Sequence, residues 1–244
     1  MMKVDLQFQK KYFNKQVCEV FDIYDQTTFR GKMLRKLDTL AIRRLLSKLD
    51  YNFKGLSILV VACGFGQDLQ IWENMGARLT LTDISERSLE LCREHYPGVI
   101  VEYADLNNLP YNNNSFDFCV VSMGLHHLYD PIKGIEEMYR VARKGIICYE
   151  MYSMVLTPLF ERLNIQAKYE KSGNRAYRFS YSDILETGKK LNAQEIYIKP
   201  IFLCKFGICQ KVNLKVLCLA DFLSKKENFF PRYFGNVVSF CFLK

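Results

Sequence analysis

Residues Ser57 to Ile84 read SILVVACGFGQDLQIWENMGARLTLTDI. Ile58 to Val61 is an apolar run of the length of a buried strand, and it ends in the small-residue turn Ala62-Cys63-Gly64-Phe65-Gly66. A helical segment follows, then a second strand, Arg78 to Thr82, that stops on Asp83. Strand, glycine turn, helix, strand and acid form the nucleotide-binding half of a doubly wound α/β fold. The glycines let a ligand approach the backbone, and the terminal acid accepts hydrogen bonds from two ribose hydroxyls.

The alternation extends in both directions. Strands are predicted at 57–62, 78–82, 99–103, 116–121 and 145–150, with helices near 67–75, 86–95 and 132–142, a spacing that implies a parallel sheet. Upstream, residues 1 to about 25 and 32–49 carry apolar residues at helical spacing. Residues 151–180 break the pattern and are rich in Tyr, Arg and Asn. A helix at 182–191 and a strand near 194–202 resume it, 203–232 reads as a partly helical insertion, and 236–243 is a closing strand.

A chain of 244 residues is long enough for one well-buried α/β core with elaborations. Its 9 cysteines are scattered through apolar runs such as FDFCVVS and GIICYE, without a repeated spacing to histidine, which favours buried, reduced thiols over disulfides or metal clusters. The stretch MMKVDLQFQKKYF has no apolar core of signal-peptide length, and the apolar runs are too short to span a bilayer, so a soluble, cytoplasmic protein is expected. The net charge of +8 is unevenly spread. Gly55 to Glu150 hold 7 Lys and Arg against 13 Asp and Glu, a balance of −6, and the flanks carry the compensating +14. That positive charge either solvates helical faces or receives an anionic acceptor.

The glycine turn alone does not specify the ligand. A dinucleotide site needs GxGxxG, whereas Gly64-Phe65-Gly66 is followed by Gln67, Asp68 and Leu69, so the third glycine, which permits close helix–strand packing, is missing. Farther on come Ala104-Asp105-Leu106, Leu109-Pro110-Tyr111, the turn Asn112 to Asn114, Ser115-Phe116-Asp117, a strand ending in Leu125-His126-His127, and GIEEMYRVAR. As a set, over about residues 55 to 150, these resemble the class I S-adenosylmethionine-dependent methyltransferases, most closely the branch acting on quinones, sterols and sugars.

The resemblance implies S-adenosyl-L-methionine as cofactor. It also implies a single methyltransferase domain over 1–244, with a Rossmann-like, seven-stranded, mostly parallel sheet whose last strand is antiparallel. Residues 1–50 would form a helical cap, 55–150 the cofactor-binding core, and 151–244 the lid and closing strands. By position, the turn carrying Ala62, Gly64 and Gly66 would underlie the methionine portion. Asp83 would hold the ribose, with Ile84 on adenine. Asp105 would accept from the adenine amino group, Leu106 would cover that ring, and Ser122 and Met123 would flank the sulfonium. The alternative for either acid is a turn or helix cap. Two positions depart from the family pattern: Val60 stands where an acid is usual, and Ala62 where glycine is usual, with Arg30 or Asp68 as compensation for the missing acid. The loop before the fifth strand, Arg143-Lys144-Gly145, is also shorter than the family's.

A sulfonium already makes its methyl carbon electrophilic, so the protein must align a nucleophile and remove a proton where the nucleophile carries one. His126 and His127 follow the fourth strand, and Glu150 ends the fifth, on the carboxyl edge where open α/β sheets bind ligands. His126 is the candidate base and Glu150 its orienting partner. Tyr24, His127, Tyr149, Tyr152, Arg175 and Tyr177 are candidate acceptor-side residues, and packing is their alternative role. The function expected is methyl transfer, by O-methylation, to a small-molecule acceptor that is anionic or carrier-linked. RNA or peptide N-methylation and non-catalytic cofactor binding are the alternatives. Against nucleic acid, the fourth strand ends in Ser122-Met123-Gly124-Leu125 rather than in an Asn/Asp-Pro-Pro-aromatic run that stacks a base. No metal is expected, and the sequence assigns no oligomeric state.

Overall fold

The computed structural model describes residues 6–23, 27, 29–164, 167–170, 172–201 and 236–244. Two helices, α1 (Leu6–Ile23) and α2 (Phe29–Leu46), precede the sheet. There follow β1 (Ser57–Val61), α3 (Leu69–Glu73), β2 (Arg78–Asp83), α4 (Glu86–His95), β3 (Ile100–Tyr103) and β4 (Phe116–Ser122). A 3-10 turn (Leu125–His127) then leads to α5 (Pro131–Val141), β5 (Ala142–Met151), α6 (Thr157–Arg162), α7 (Tyr181–Lys190), β6 (Glu195–Ile201) and β7 (Val237–Leu243).

The sheet order is β3-β2-β1-β4-β5-β7-β6, with β7 antiparallel to both of its neighbours and the other pairings parallel. This is the seven-stranded, mostly parallel sheet expected, with the antiparallel strand inserted between β5 and β6. The period-2 alternation of a strand explains the unbroken apolar run of β1. Ile58 and Val60 enter the core layer shared with α2 and α3, while Leu59 and Val61 enter the layer beneath α5 and α7. Strand order reverses between β1 and β4, so the loops after those strands splay apart and leave a crevice at their carboxyl ends.

Helix boundaries follow local chemistry. Ser85 caps α4 by accepting from Ser88 N, Asp130 caps α5 from Lys133 N ahead of Pro131, and Ser180 with Asp183 forms a capping box on α7. Three differences from the sequence reading stand out. Helix α3 is shorter than 67–75: it ends at Glu73 with Asn74 as C-cap, and the turn that follows closes on Gly76, whose φ is +71°. Helix α5 runs directly into β5 at Ala142 rather than through a loop to 145, and Gly145 is the residue there because a Cβ would press on the Phe242 carbonyl. The stretch read as irregular holds the short helix α6. The 203–232 insertion and Tyr24 lie outside the described residues, as does the side chain of Arg30.

Candidate active site

At the end of β2, Asp83 organises two loops at once. Gly64 N donates to its Oδ2 at 2.9 Å, and Ser85 N donates to its Oδ1 at 2.8 Å. Its carboxyl is buried, which raises its pKa, and the backbone donors Ser85, Gly64 and Ile84 offset only part of that rise. Gly64 (φ +55°) and Gly66 (φ +79°) adopt left-handed backbone. At Gly66 the fit is close: a Cβ would lie 2.6 Å from the Tyr96 ring, whose hydroxyl donates to Gly66 O at 2.8 Å. Ala62 also has φ of +46°, a conformation that favours glycine, the residue expected there from the resemblance.

A cleft of about 420 Å³, including its open mouth, lies at the carboxyl ends of β1 and β4, and Val60, Ala62, Gly66, Asp68 and Ser122 line it. Asp68 opens α3 without capping it. Its Oδ2 instead accepts a short hydrogen bond from Ser122 Oγ. Burial raises the Asp68 pKa, and the Ser122 bond and the Arg35 charge work against that rise. Arg35 in turn donates to Gln67 O at 3.0 Å. Asp83, Ile84, Asp105 and Leu106 do not line this cleft. Asp105 Oδ1 accepts from Asn107 N at 2.9 Å, which shapes its own turn, and Leu106 is buried near Gly134 of α5. Half-buried Ile84 follows Asp83, and Met123 (φ +56°) follows β4 with its N–H on Tyr149 O at 2.7 Å.

Helix α1 crosses this edge. Its Asn14 Oδ1 accepts from Ser85 Oγ at 2.8 Å, and its Val17 packs with Phe65 and Leu91, so the N-terminal helix covers the two loops that Asp83 joins.

On the other side of Met123, Glu150 is fully buried at the end of β5. Its Oε1 accepts from Gly124 N at 2.7 Å and Leu125 N at 2.6 Å, and its Oε2 lies 2.7 Å from His126 Nδ1. One carboxylate therefore shapes the turn that carries the histidine and also orients its ring. With Nδ1 donating, Nε2 is the nitrogen left free to accept, and it lies 3.8 Å from Glu170 Oε1. Burial alone would lower the His126 pKa. The charge and hydrogen bond of Glu150, with the charge of Glu170 behind them, carry it above the ordinary histidine value.

Glu170 is the acid the sequence reading missed. It sits on a small hairpin in which Glu170 N donates to Asn174 O and Ala176 N to Lys168 O. Its Oε2 lies 2.6 Å from His127 Nδ1, and its Oε1 lies 3.8 Å from His126 Nε2. Burial would raise the Glu170 pKa, but the His127 hydrogen bond and the charges of His127 and His126 hold it below the usual value. Asn174 Nδ2 donates to His127 O, closing the hairpin on the histidine turn. Nothing in the KYEKSGN run marks Glu170 as a site residue; only the return of that loop over the sheet edge does.

The remaining candidates divide. Tyr149 lines the cleft, but its hydroxyl donates to buried Asp38 at 2.8 Å, tying α2 to β5. Tyr152 is buried in the core layer beneath α5 and α7. Tyr177 is half-buried edge-on to Phe179, with its hydroxyl pKa pushed up to about 12, first by burial and then by nearby carboxylates. Arg175 is exposed on the hairpin opposite Tyr169. Phe13 of α1 lies against His127, with ring centroids 5.1 Å apart.

Residues 59–149 match the family model described as a methyltransferase domain. A demethylmenaquinone methyltransferase of Clavibacter sepedonicus is 28% identical over 183 residues, covering 67% of this chain and 73% of that protein. One from Staphylococcus epidermidis is 26% identical over 152 residues, 53% of this chain and 63% of that protein. Among solved structures, the magnesium protoporphyrin IX methyltransferase of Synechocystis, with bound SAH, superposes with a TM-score of 0.65 at 17% identity, over 98% of this chain and 100% of that one. Among the described residues, no helix is long and apolar enough to cross a membrane.

Proposed function

Residues 59–149 carry the domain of the class I S-adenosylmethionine-dependent methyltransferases, and from that premise we propose that the chain O-methylates a ring hydroxyl of a small molecule, with His126 as general base. The observation that carries this reading is the buried Glu150–His126 pair at the sheet edge, with Nδ1 committed to the carboxylate at 2.7 Å. S-adenosyl-L-methionine supplies the electrophilic methyl group.

In this reading Asp83 and Asp105 hold the adenosine half, and the turn from Ala62 to Gly66 takes the methionine half. Val60 leaves the expected acid out of β1, and Asp68 supplies one within the same cleft, able to accept from the cofactor's ammonium. His126 Nε2 removes the proton from the acceptor hydroxyl. The deprotonated oxygen would accept the methyl group that the cofactor supplies, the cofactor would leave as S-adenosylhomocysteine, and the imidazolium would stay paired with Glu150. A buried base of this kind contributes about 10² to 10⁴ in rate. His127, Tyr177 and Arg175 stand on the acceptor side, where the hairpin covers the histidines.

The relatives named for demethylmenaquinone support a quinol-like ring as the acceptor class. They also favour a second outcome. A ring hydroxyl that loses its proton becomes nucleophilic at the conjugated ring carbon as well as at oxygen, so the same base serves C-methylation. The test is transfer from methyl-labelled cofactor to a panel of hydroquinones, phenols and sugars, with peptide and RNA pools alongside. Labelled methoxy products from the first group support the reading. Labelled ring-methyl products move it to carbon, and label in peptide or RNA alone overturns it.

A further inference from the structure

We propose that His126, His127 and Glu170 form a binding site for a divalent transition-metal ion of the zinc or cobalt type. Their donor atoms, one from each residue, all lie within 4.8 Å of one another. Two imidazoles and one carboxylate are a donor set suited to zinc and its neighbours, with the fourth position left open. Two ligand atoms each about 2.1 Å from a tetrahedral ion stand roughly 3.4 Å apart. The His126 Nε2 to Glu170 Oε1 separation of 3.8 Å is already near that figure, and the 2.6 Å contact of His127 Nδ1 with the second carboxylate oxygen, Oε2, is the one an ion would replace.

The surroundings match the support such ligands receive in metal sites. A metal-binding histidine donates its other ring nitrogen to a carboxylate or carbonyl, which fixes the ring and strengthens the ligand. His126 makes that bond to Glu150, whose remaining oxygen is itself held by two backbone N–H groups. Ser172 Oγ donates to Glu170 at 3.1 Å, steadying the second carboxylate. Two carboxylates thus face two imidazoles, while the nearby guanidinium of Arg178 is matched by Glu161 at 2.9 Å. His127, with 29% of its side chain exposed, marks the side by which an ion enters.

The site stands on this geometry alone. Its consequence rests on the proposed base: an ion on His126 Nε2 takes the lone pair that would accept the acceptor's proton, so metal loading and general-base action exclude each other.

The test is titration of the chelator-stripped protein with Co²⁺, which reports four-coordinate nitrogen and oxygen ligation through its visible absorption. One equivalent is expected to bind with intense visible bands, and Zn²⁺ is expected to displace it. His127→Ala and Glu170→Gln are each expected to weaken Co²⁺ binding at least tenfold while still binding S-adenosylhomocysteine, which verifies their fold. Absence of bound Co²⁺ by elemental analysis overturns the proposal. So does binding that survives intact in both variants, because the ion then sits elsewhere. No acceptor and no turnover enter this measurement, so its failure is separate from failure of the base assignment.

Discussion

Asp68 and Ser122 meet through a short hydrogen bond in the cleft, bringing a half-buried carboxyl from the start of α3 against the end of β4. That carboxyl stands close to Val60, which has no polar group to offer. If Asp68 receives the cofactor's ammonium, Asp68→Asn removes a charged hydrogen bond and weakens S-adenosylhomocysteine binding roughly ten- to a hundredfold, at about 1.5–3 kcal/mol. Isothermal titration calorimetry measures it.

The same residue gives that affinity a pH dependence. Burial raises the Asp68 pKa, so its carboxyl takes up a proton more readily than an ordinary aspartate. A bound ammonium favours the ionised form, so cofactor binding expels a proton, and affinity rises as pH rises through the Asp68 value. Calorimetry in two buffers of different ionisation enthalpy detects the released proton, and Asp68→Asn is expected to abolish it.

His126→Gln is expected to lower kcat by about 10² to 10⁴ while leaving S-adenosylhomocysteine affinity within twofold or so, since the ring's polar partners are Glu150 and Glu170. Turnover retained in full on the true acceptor removes His126 from the mechanism. Glu150→Gln is expected to lower kcat and Tm together. A single amide oxygen must then replace two that serve Gly124, Leu125 and His126, and an unsatisfied buried group costs about 1–3 kcal/mol.

Ala62→Gly tests the departure in the first loop. Alanine at a φ of +46° carries strain of about 1–2 kcal/mol, and glycine relieves it while adding unfolded-chain freedom worth about 0.4–1 kcal/mol. The variant is expected to melt at the same or a higher temperature. Gly124→Ala is expected to melt lower, because the added Cβ falls 2.6 Å from that of Ala62.

Acid stability has a local source in α5. Glu137 accepts from Arg140, which pulls its pKa below the usual value despite partial burial, and from Leu109 N at 2.9 Å. A depressed folded-state pKa stabilises the fold above the unfolded value, and that contribution disappears as pH falls through the folded value. Thermal melts taken from neutral pH downward are expected to show a shallower acid limb in Glu137→Gln than in the parent chain.

Much of this was legible in the sequence because it is periodic or local. The buried apolar run of β1, the alternation of strands and helices over 57–150, and the placement of His126 and Glu150 on one edge all follow from short-range pattern. Pairing of His126 with Glu150 needed only that β4 and β5 be parallel neighbours. Other features depend on contacts distant in sequence. Glu170 reaches the histidines because a loop of no regular pattern folds back, and Asp38 meets Tyr149 only once α2 lies on the sheet. Asp105, expected to accept from adenine with a turn cap as its alternative role, accepts from Asn107 N and so shapes its own turn.

Glu150 braces the histidine turn wholly from the sheet, whereas Glu170 and Asn174 reach it from the hairpin above. The two halves therefore differ in how freely they can diverge. Exchanging residues along the hairpin offers a route to new acceptors without rebuilding the His126–Glu150 pair, so related chains are expected to vary fastest on that loop and to diversify by substrate rather than by chemistry.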